Sequence, residues 1–331
     1  MNFEFEKKEA LARVEQVKKD EINRSEKKKQ LIVIVLVSCV LVVVIVFAVF
    51  ISRNLRTTRK QKVIIEEQKA IVEEKHKEIT DSINYAERIQ RSFLATKEML
   101  DKNLSPNNTD NYFVLFKPRD VVSGDFYWAT ALPNGDFMYV TADSTGHGVP
   151  GAIMSILNIS SLEKAVEKYT NPHEILNTTR QIIIDRLKKD GSTQGGKDGM
   201  DCSLVILDKN RKQLRYSASN NPLWIMRNQQ LIEFAFDKMP VGRHDSEHVS
   251  FTSHNVELQP GDVIYTFTDG LPDQFGGPKG KKFKYTRLKE VLAHISTLPM
   301  RQQQQELQNE LVQWMGILEQ IDDVCVIGVR I

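Results

Sequence analysis

Hydrophobic positions are distributed along this chain in three ways, and each predicts a different kind of element. Residues 1–30 are mostly charged, contain no glycine or proline, and read as a helix. Residues 31–51 then run LIVIVLVSCVLVVVIVFAVFI, 21 positions without a charge. The apolar core of a bilayer needs about 20 such residues in a helix, so a transmembrane helix is expected over 31–51. A signal peptide has a shorter apolar region, does not begin so far into the chain and ends at a small-residue cleavage site, which is missing here. Residues 52–95 return to a charged pattern in which Ile65, Val72, Ile79, Ala86 and Phe93 recur every seven positions. The other seam positions, Gln68, Lys75, Ser82 and Ile89, are mostly polar. A single solvated helix fits this pattern. A parallel two-stranded coiled-coil stalk fits it better, because a helix polar on most faces needs a partner to persist.

A turn-rich segment, 103–110, marks a boundary. Beyond it the period shortens to short β-type runs: YFVLF, DFYWATAL, DFMYVTA, CSLVIL, PLWIM, DVIYTFT and VCVIGVRI. Helical patterns lie between them at 150–168, 172–189, 286–296 and 300–318. Strand follows strand through turns such as Pro133-Asn134-Gly135 and Asp208-Lys209-Asn210. That order favours antiparallel sheets with helices packed outside over a βαβ winding, an α+β fold class. The segment 191–199 reads as a polar, mobile loop. The expected organisation is therefore a charged helical segment over 1–30, the membrane helix over 31–51, a stalk over 52–95 and a catalytic domain over 105–331.

Charge and cysteine content narrow the field. The 331 residues carry a formal net charge of +2, which gives no reason to expect nucleic acid as a partner. Cys39, Cys202 and Cys325 are far apart in sequence and make no C-x-x-C pair. This fits a reducing compartment rather than a disulfide framework. Lysine and arginine number six in 16–30 and five in 52–66, so charge does not orient the membrane helix.

The candidate chemistry is a set of aspartates at strand ends beside small or turn-forming residues: Ser123-Gly124-Asp125, Asp143 to Gly148, Thr268-Asp269-Gly270 and Asp322-Asp323. Glycines beside them let a cation and a phosphate approach the main chain. Carboxylates converging on one spot repel unless a cation sits between them, and all-oxygen ligands favour Mg²⁺ or Mn²⁺. Each group has a plainer reading. Asp-Gly pairs build turns, Asp143 could cap a helix starting near Val149, and Asp322-Asp323 could blunt an edge strand. Chemistries that use a covalent nucleophile or a P-loop are excluded. A cysteine nucleophile needs arginine six positions on, where Ile45, Asp208 and Ile331 stand. No Asp-x-Asp-x-Thr/Val motif and no P-loop occurs.

The motifs SGDFYW (123–128), ADSTGHGVPGA (142–152), GMDCS (199–203), MPVG (239–242), FTDG (267–270) and DDVCVIGV (322–329) stand in order along the chain. With EITDSINYAERIQ (78–90), they make the chain from about Asp81 to Ile331 resemble the SpoIIE-like bacterial branch of the metal-dependent, type 2C serine/threonine protein phosphatases. The resemblance implies a two-sheet antiparallel β-sandwich flanked by helices, with a metal site at one edge. It implies two Mn²⁺ or Mg²⁺ ions that activate water for attack on phosphorus. Asp143 resembles the bridging ligand, the Ser144 carbonyl its backbone companion, and Asp269 with Asp322 or Asp323 the holders of the second ion. The activated water would thus be held by Asp143 and Asp269. Asp125 resembles an acidic residue that reaches a metal directly or through water, and Asp201 one tied to a third, more labile ion. The branch lacks the phosphate-gripping arginine of other type 2C enzymes; Lys117 and Arg119 are the candidates to replace it. The implied substrate is phosphoserine or phosphothreonine on a partner signalling protein, such as an anti-sigma antagonist. A phosphoprotein substrate places the domain in the cytoplasm, on the inner membrane through a single span, with a homodimer formed through the stalk. An inactive phosphatase-fold scaffold and a hydrolase of small phosphate esters are the rival readings.

Overall fold

The computed structural model describes residues 2–106, 109–188, 198–245 and 248–331. The chain separates into two compact units, Met1–Glu78 and Ile79–Ile331. One unbroken helix, α1 (Asn2–Phe93), takes in the three N-terminal segments that the sequence divides. Its most apolar window has a mean hydropathy of 3.6, and none of that window is buried. The side chains at 65 and 72 of the seven-residue seam are also exposed, at 61% for Ile65 and 65% for Val72.

In the second unit, one sheet has five strands in the order β1 (Tyr112–Lys117), β13 (Val324–Arg330), β10 (Val263–Phe267), β6 (Leu223–Arg227) and β7 (Gln230–Phe234). The other runs β2 (Asp125–Ala131), β3 (Phe137–Ser144), β4 (Gly199–Leu207), β5 (Gln213–Ser219) and β9 (His254–Glu257), with β8 (Val241–Gly242) against β4. Every pairing within these sheets is antiparallel.

The sheets stack face to face, and helices cover both outer faces. Tyr139, Val205, Tyr216, Ile225, Ile264 and Ile327 fill the space between the sheets. Phe126, Val140 and Leu204 pack on Ile159, Leu162, Ile175 and Ile183 of helices α3 (Gly148–Val166) and α4 (Pro172–Leu187). Phe113, Tyr265 and Val326 pack on Leu288, Leu292, Leu307 and Leu311 of α6 (Lys284–Ile295) and α7 (Met300–Met315). Covered on both faces, the central strands are apolar at nearly every position, as the runs VIYTF and VCVIGV show. The inner strand β5, the edge strands β7 and β9, and the short helix α2 (Lys97–Leu104) have no counterpart among the expected elements. The loop expected over 191–199 lies, up to residue 197, outside the described residues.

Candidate active site

Strand register builds the site. Asp125 opens β2 and pairs with Asp143 near the end of β3. Asp143 pairs in turn with Asp201 of β4. Directly paired residues share a face of the sheet, so three carboxylates stand side by side across three strands. Thr141, two residues before Asp143 on that face, meets Thr266 of the opposite sheet at 2.6 Å between hydroxyls. The row therefore faces the gap between the sheets. The opposite sheet adds Asp269, just past the end of β10, and Asp322-Asp323, just before β13, its antiparallel neighbour.

The plainer readings of these aspartates do not hold. The N-cap of α3 is His147, not Asp143, which lies on the strand. Asp269 is the N-cap of the short helix α5 (Gly270–Asp273) but makes no side-chain capping bond. β13 lies inside its sheet, between β1 and β10, so the two aspartates before it guard no edge.

Close backbone packing accounts for the glycines. A β-carbon on Gly124 or on Gly151 would overlap the Gly146 carbonyl oxygen, and one on Gly270 the Asp323 carbonyl oxygen. The loops carrying Asp125, Asp143, Asp269 and Asp323 are thus held backbone to backbone.

Asp322 and Asp323 differ in surroundings. Asp323 is 3% exposed and both its oxygens are engaged: Arg119 N–H donates to one at 2.7 Å and Gly124 N–H to the other at 2.8 Å. It joins the loop before β2 to the start of β13. Among the described residues the Asp322 carboxylate accepts only the Asp323 N–H, at 2.9 Å, and it lines a cavity of about 500 Å³ with Asp143, Ser144 and Asp201. Beneath that cavity Asp125, 2% exposed, accepts the Thr268 hydroxyl at 2.6 Å. Asp201 accepts Asn220 Nδ2–H at 2.8 Å, and Asn158 of α3 donates to the Ser144 hydroxyl at 3.0 Å. His147 stands at the cavity rim, 3.6 Å from Asp120.

The electrostatics follow from this crowding. Burial and then repulsion from Asp269, Asp322 and Asp201 push the Asp143 carboxyl up to about 8. Burial and the charges of Asp322, Asp273 and Asp201 push Asp269 up to about 6. Burial raises Asp125, Asp201 and Asp322 as well. Such a cluster suits a hard cation, whose charge reverses the repulsion. Among the described residues no three histidine, cysteine or carboxylate side chains form a ready-made cage for one ion. Mg²⁺ needs none, because it binds through one or two carboxylates and keeps several waters. The donor set therefore fits ions shared along the row of aspartates.

Of the two basic candidates, Arg119 is at the site and Lys117 is not. The Arg119 guanidinium donates to the Ile321 carbonyl at 2.9 Å, and its charge lowers the Asp322 carboxyl's affinity for a proton. Lys117 ends β1; its carbonyl accepts from Gln320, and among the described residues its side chain has no hydrogen bond or ion pair with the aspartates. Sequence reasoning missed the amides that hold the loops carrying these residues. Gln90, 3% exposed near the end of α1, accepts Ser123 N–H and donates to the Ser123 carbonyl and the Ser155 hydroxyl. The available signal was an amide where a helix otherwise turns apolar: Gln90 before Phe93-Leu94, and Asn158 within AIMSILNIS.

A two-sheet sandwich with helices on both faces and an acidic edge is the architecture of the PP2C-type protein phosphatases. The SiaA-PP2C domain of Pseudomonas aeruginosa is similar at 29% identity and a TM-score of 0.68, over 77% of this chain and 98% of that one. The PP2C phosphatase domain and regulatory fragment of SpoIIE from Bacillus subtilis share the fold at 20% identity and a TM-score of 0.56, over 67% of this chain and 63% of that one. So do the RsbU and RsbW domains of a Mycobacterium tuberculosis protein, at 18% identity and 0.53, over 66% and 60%. Residues 133–331 match the family model of stage II sporulation protein E, SpoIIE, and the chain belongs to that family. It is a phosphatase of the PP2C class. No curated protein matches the chain.

Proposed function

We propose that the chain removes phosphate from phosphoserine or phosphothreonine on a partner signalling protein, using two Mn²⁺ or Mg²⁺ ions and, at Asp201, a third. The observation that carries this reading is the convergence of aspartates from both sheets on one edge, with Asp143 raised to about 8. Asp143 and the Ser144 carbonyl hold the ions together with Asp269 and Asp322. Asp125 supports them from below, anchored by Thr268. Asp323 ties the ligand loops in place. When bound, the ions supply a nucleophile from water at neutral pH and neutralise charge on the transferring phosphoryl group. Arg119 at the rim orients the phosphate. The intact set of aspartates argues against an inactive scaffold.

The same reading takes 105–331 as the catalytic domain and 31–51 as a single span in the inner membrane, with the domain in the cytoplasm. The stalk, 52–95, pairs two copies in parallel through Ile65 and Val72, which are exposed in the single chain. An anti-sigma antagonist is a fitting substrate, and nucleic acid is not expected. Phosphate release from a phosphoserine protein, with Mn²⁺ and after exhaustive chelation, tests the core of the reading. Activity that survives chelation refutes it, and activity on small esters alone supports the small-ester reading instead.

A further inference from the structure

We propose that the hairpin formed by β11 (Phe275–Gly276) and β12 (Lys281–Lys282), with the start of α6, is a docking platform for an acidic segment beside the phosphorylated residue of the substrate protein. The proposal rests on the phosphoprotein reading above and names which flanking chemistry the site selects.

The segment 274–289, QFGGPKGKKFKYTRLK, holds six lysines and arginines and no acidic residue. Three of the six are neutralised locally. Lys282 meets Asp273 at 2.8 Å, Arg287 meets Glu310 at 3.0 Å, and Lys289 meets Glu233 at 2.6 Å. Lys279, Lys281 and Lys284 are exposed, and among the described residues none of them has an ion pair. A run of lysines is ordinarily a solvated face, so two further observations matter.

The platform is rigid. Gly277 N–H donates to the Trp314 carbonyl at 2.7 Å, and Trp314 Nε1–H donates to the Gln274 carbonyl at 3.1 Å. Phe283 packs edge-on to Trp314 with ring centroids 5.4 Å apart, and the Arg287 guanidinium lies 4.7 Å over the same indole. Gly277 and Gly280 turn the hairpin at φ of 67° and 58°. The three free charges therefore sit on a fixed frame, which limits the ordering cost of binding.

The platform also adjoins the carboxylate cluster. Asp269 begins the helix α5 that Asp273 ends, and Asp273 is the residue that holds Lys282. Tyr285, next to Lys284, lies in the field of Asp269, Asp273 and Asp201. A phosphoserine at Asp143 thus places its flanking residues within reach of the lysines. One short helix, α5, links Asp269 to the hairpin, and charges near a site act over about 8 Å at physiological salt. Charge at such a rim acts on encounter rate and partner choice more than on chemistry.

The test uses the full-length chain in detergent micelles and the variant K279E/K281E/K284N; asparagine tolerates the positive φ at position 284. With Mn²⁺ present, kcat/KM is measured on p-nitrophenyl phosphate, on a phosphoserine peptide flanked by Asp and Glu, and on the same peptide with neutral flanks. Fluorescence anisotropy of the acidic peptide with serine in place of phosphoserine reads binding without catalysis. The wild type is expected to prefer acidic flanks. The variant should lose at least about tenfold on the acidic peptide and most of its salt dependence, and stay within about twofold on the other two substrates. Equal losses on all three substrates, or a wild type indifferent to flanking charge, overturn the proposal. If only binding to vesicles containing phosphatidylserine changes, the hairpin contacts lipid and the proposal fails. If the wild type hydrolyses none of the three, the phosphatase reading fails. The anisotropy then decides the hairpin alone: binding lost in the variant supports docking, and equal binding overturns it.

Discussion

Half-buried Asp143 and buried Asp323 belong to the same site, and their surroundings assign them opposite sensitivities. Asp143 faces the cavity among like charges, so Asp143→Asn removes repulsion and, on the proposed reading, a metal ligand. Turnover should fall at least about 10–100-fold, since even changes to groups behind a ligand cost that much. The metal-free melting temperature should hold or rise, and the gain on adding Mn²⁺ should shrink. A variant with near wild-type turnover at moderate Mn²⁺ removes Asp143 from the centre. Asp323 instead accepts two main-chain N–H groups from the loop at 119–124. Asp323→Asn puts an amide N–H against one of them and should cost about 1–3 kcal/mol in urea unfolding with or without metal. The raised carboxyls also set a pH dependence. A carboxyl whose folded pKa lies above its unfolded value favours the fold at low pH. That contribution disappears as pH rises from the ordinary 3.8 through the folded value, about 6 for Asp269 and about 8 for Asp143. The chelated protein should therefore melt lower at pH 8 than at pH 5, and saturating Mn²⁺ should shrink or invert that difference. A flat chelated profile would show that the cluster is not under electrostatic stress.

At the scale of elements, α1 is the part whose role differs most from that of an ordinary surface helix. It is continuous to Phe93, and near that end Gln90 grips the Ser123 backbone, one residue before Gly124, whose N–H binds Asp323. The last turns of α1 thus hold the loop that leads into Asp125. Inserting two residues after Lys75 turns the seam by about 200° relative to what precedes it. If the stalk pairs two copies as proposed, activity should change while the melting transition of the catalytic unit stays in place. A monomeric chain that ignores the insertion would show that the stalk carries no signal. The edge strands show where pattern reading stops at this scale. β7 (QLIEF) and β9 (HNVE) are half-exposed and only weakly alternating, so they lack the apolar runs that made β10 and β13 legible. β4 was anticipated only from Cys202. Gly199 and Asp201 are poor strand formers, and pairing of Gly199 with Gly242 and of Asp201 with Asp143 draws them into the sheet.

For the whole molecule, the apolar stretch at 31–51 predicts that the full chain sediments with membranes and resists carbonate extraction. A chain beginning at residue 52 should be released, and a wild type extracted by carbonate would rule out a spanning helix. The sequence alone determined the long apolar helix, the sandwich strands with both faces covered, the four outer helices and the set of aspartates, because propensity, period and turn chemistry are local properties. Tertiary structure alone decided which aspartates meet. Asp125, Asp143 and Asp201 become neighbours through the register of β2, β3 and β4, and Asp269 and Asp322 through the pairing of β10 with β13. It also separated Asp322 from Asp323, which are adjacent in sequence and alike in chemistry. One side chain faces the cavity and the other faces the backbone amides of a loop about two hundred residues away. Contacts over such separations depend on how the sheets stack, and no local pattern records that.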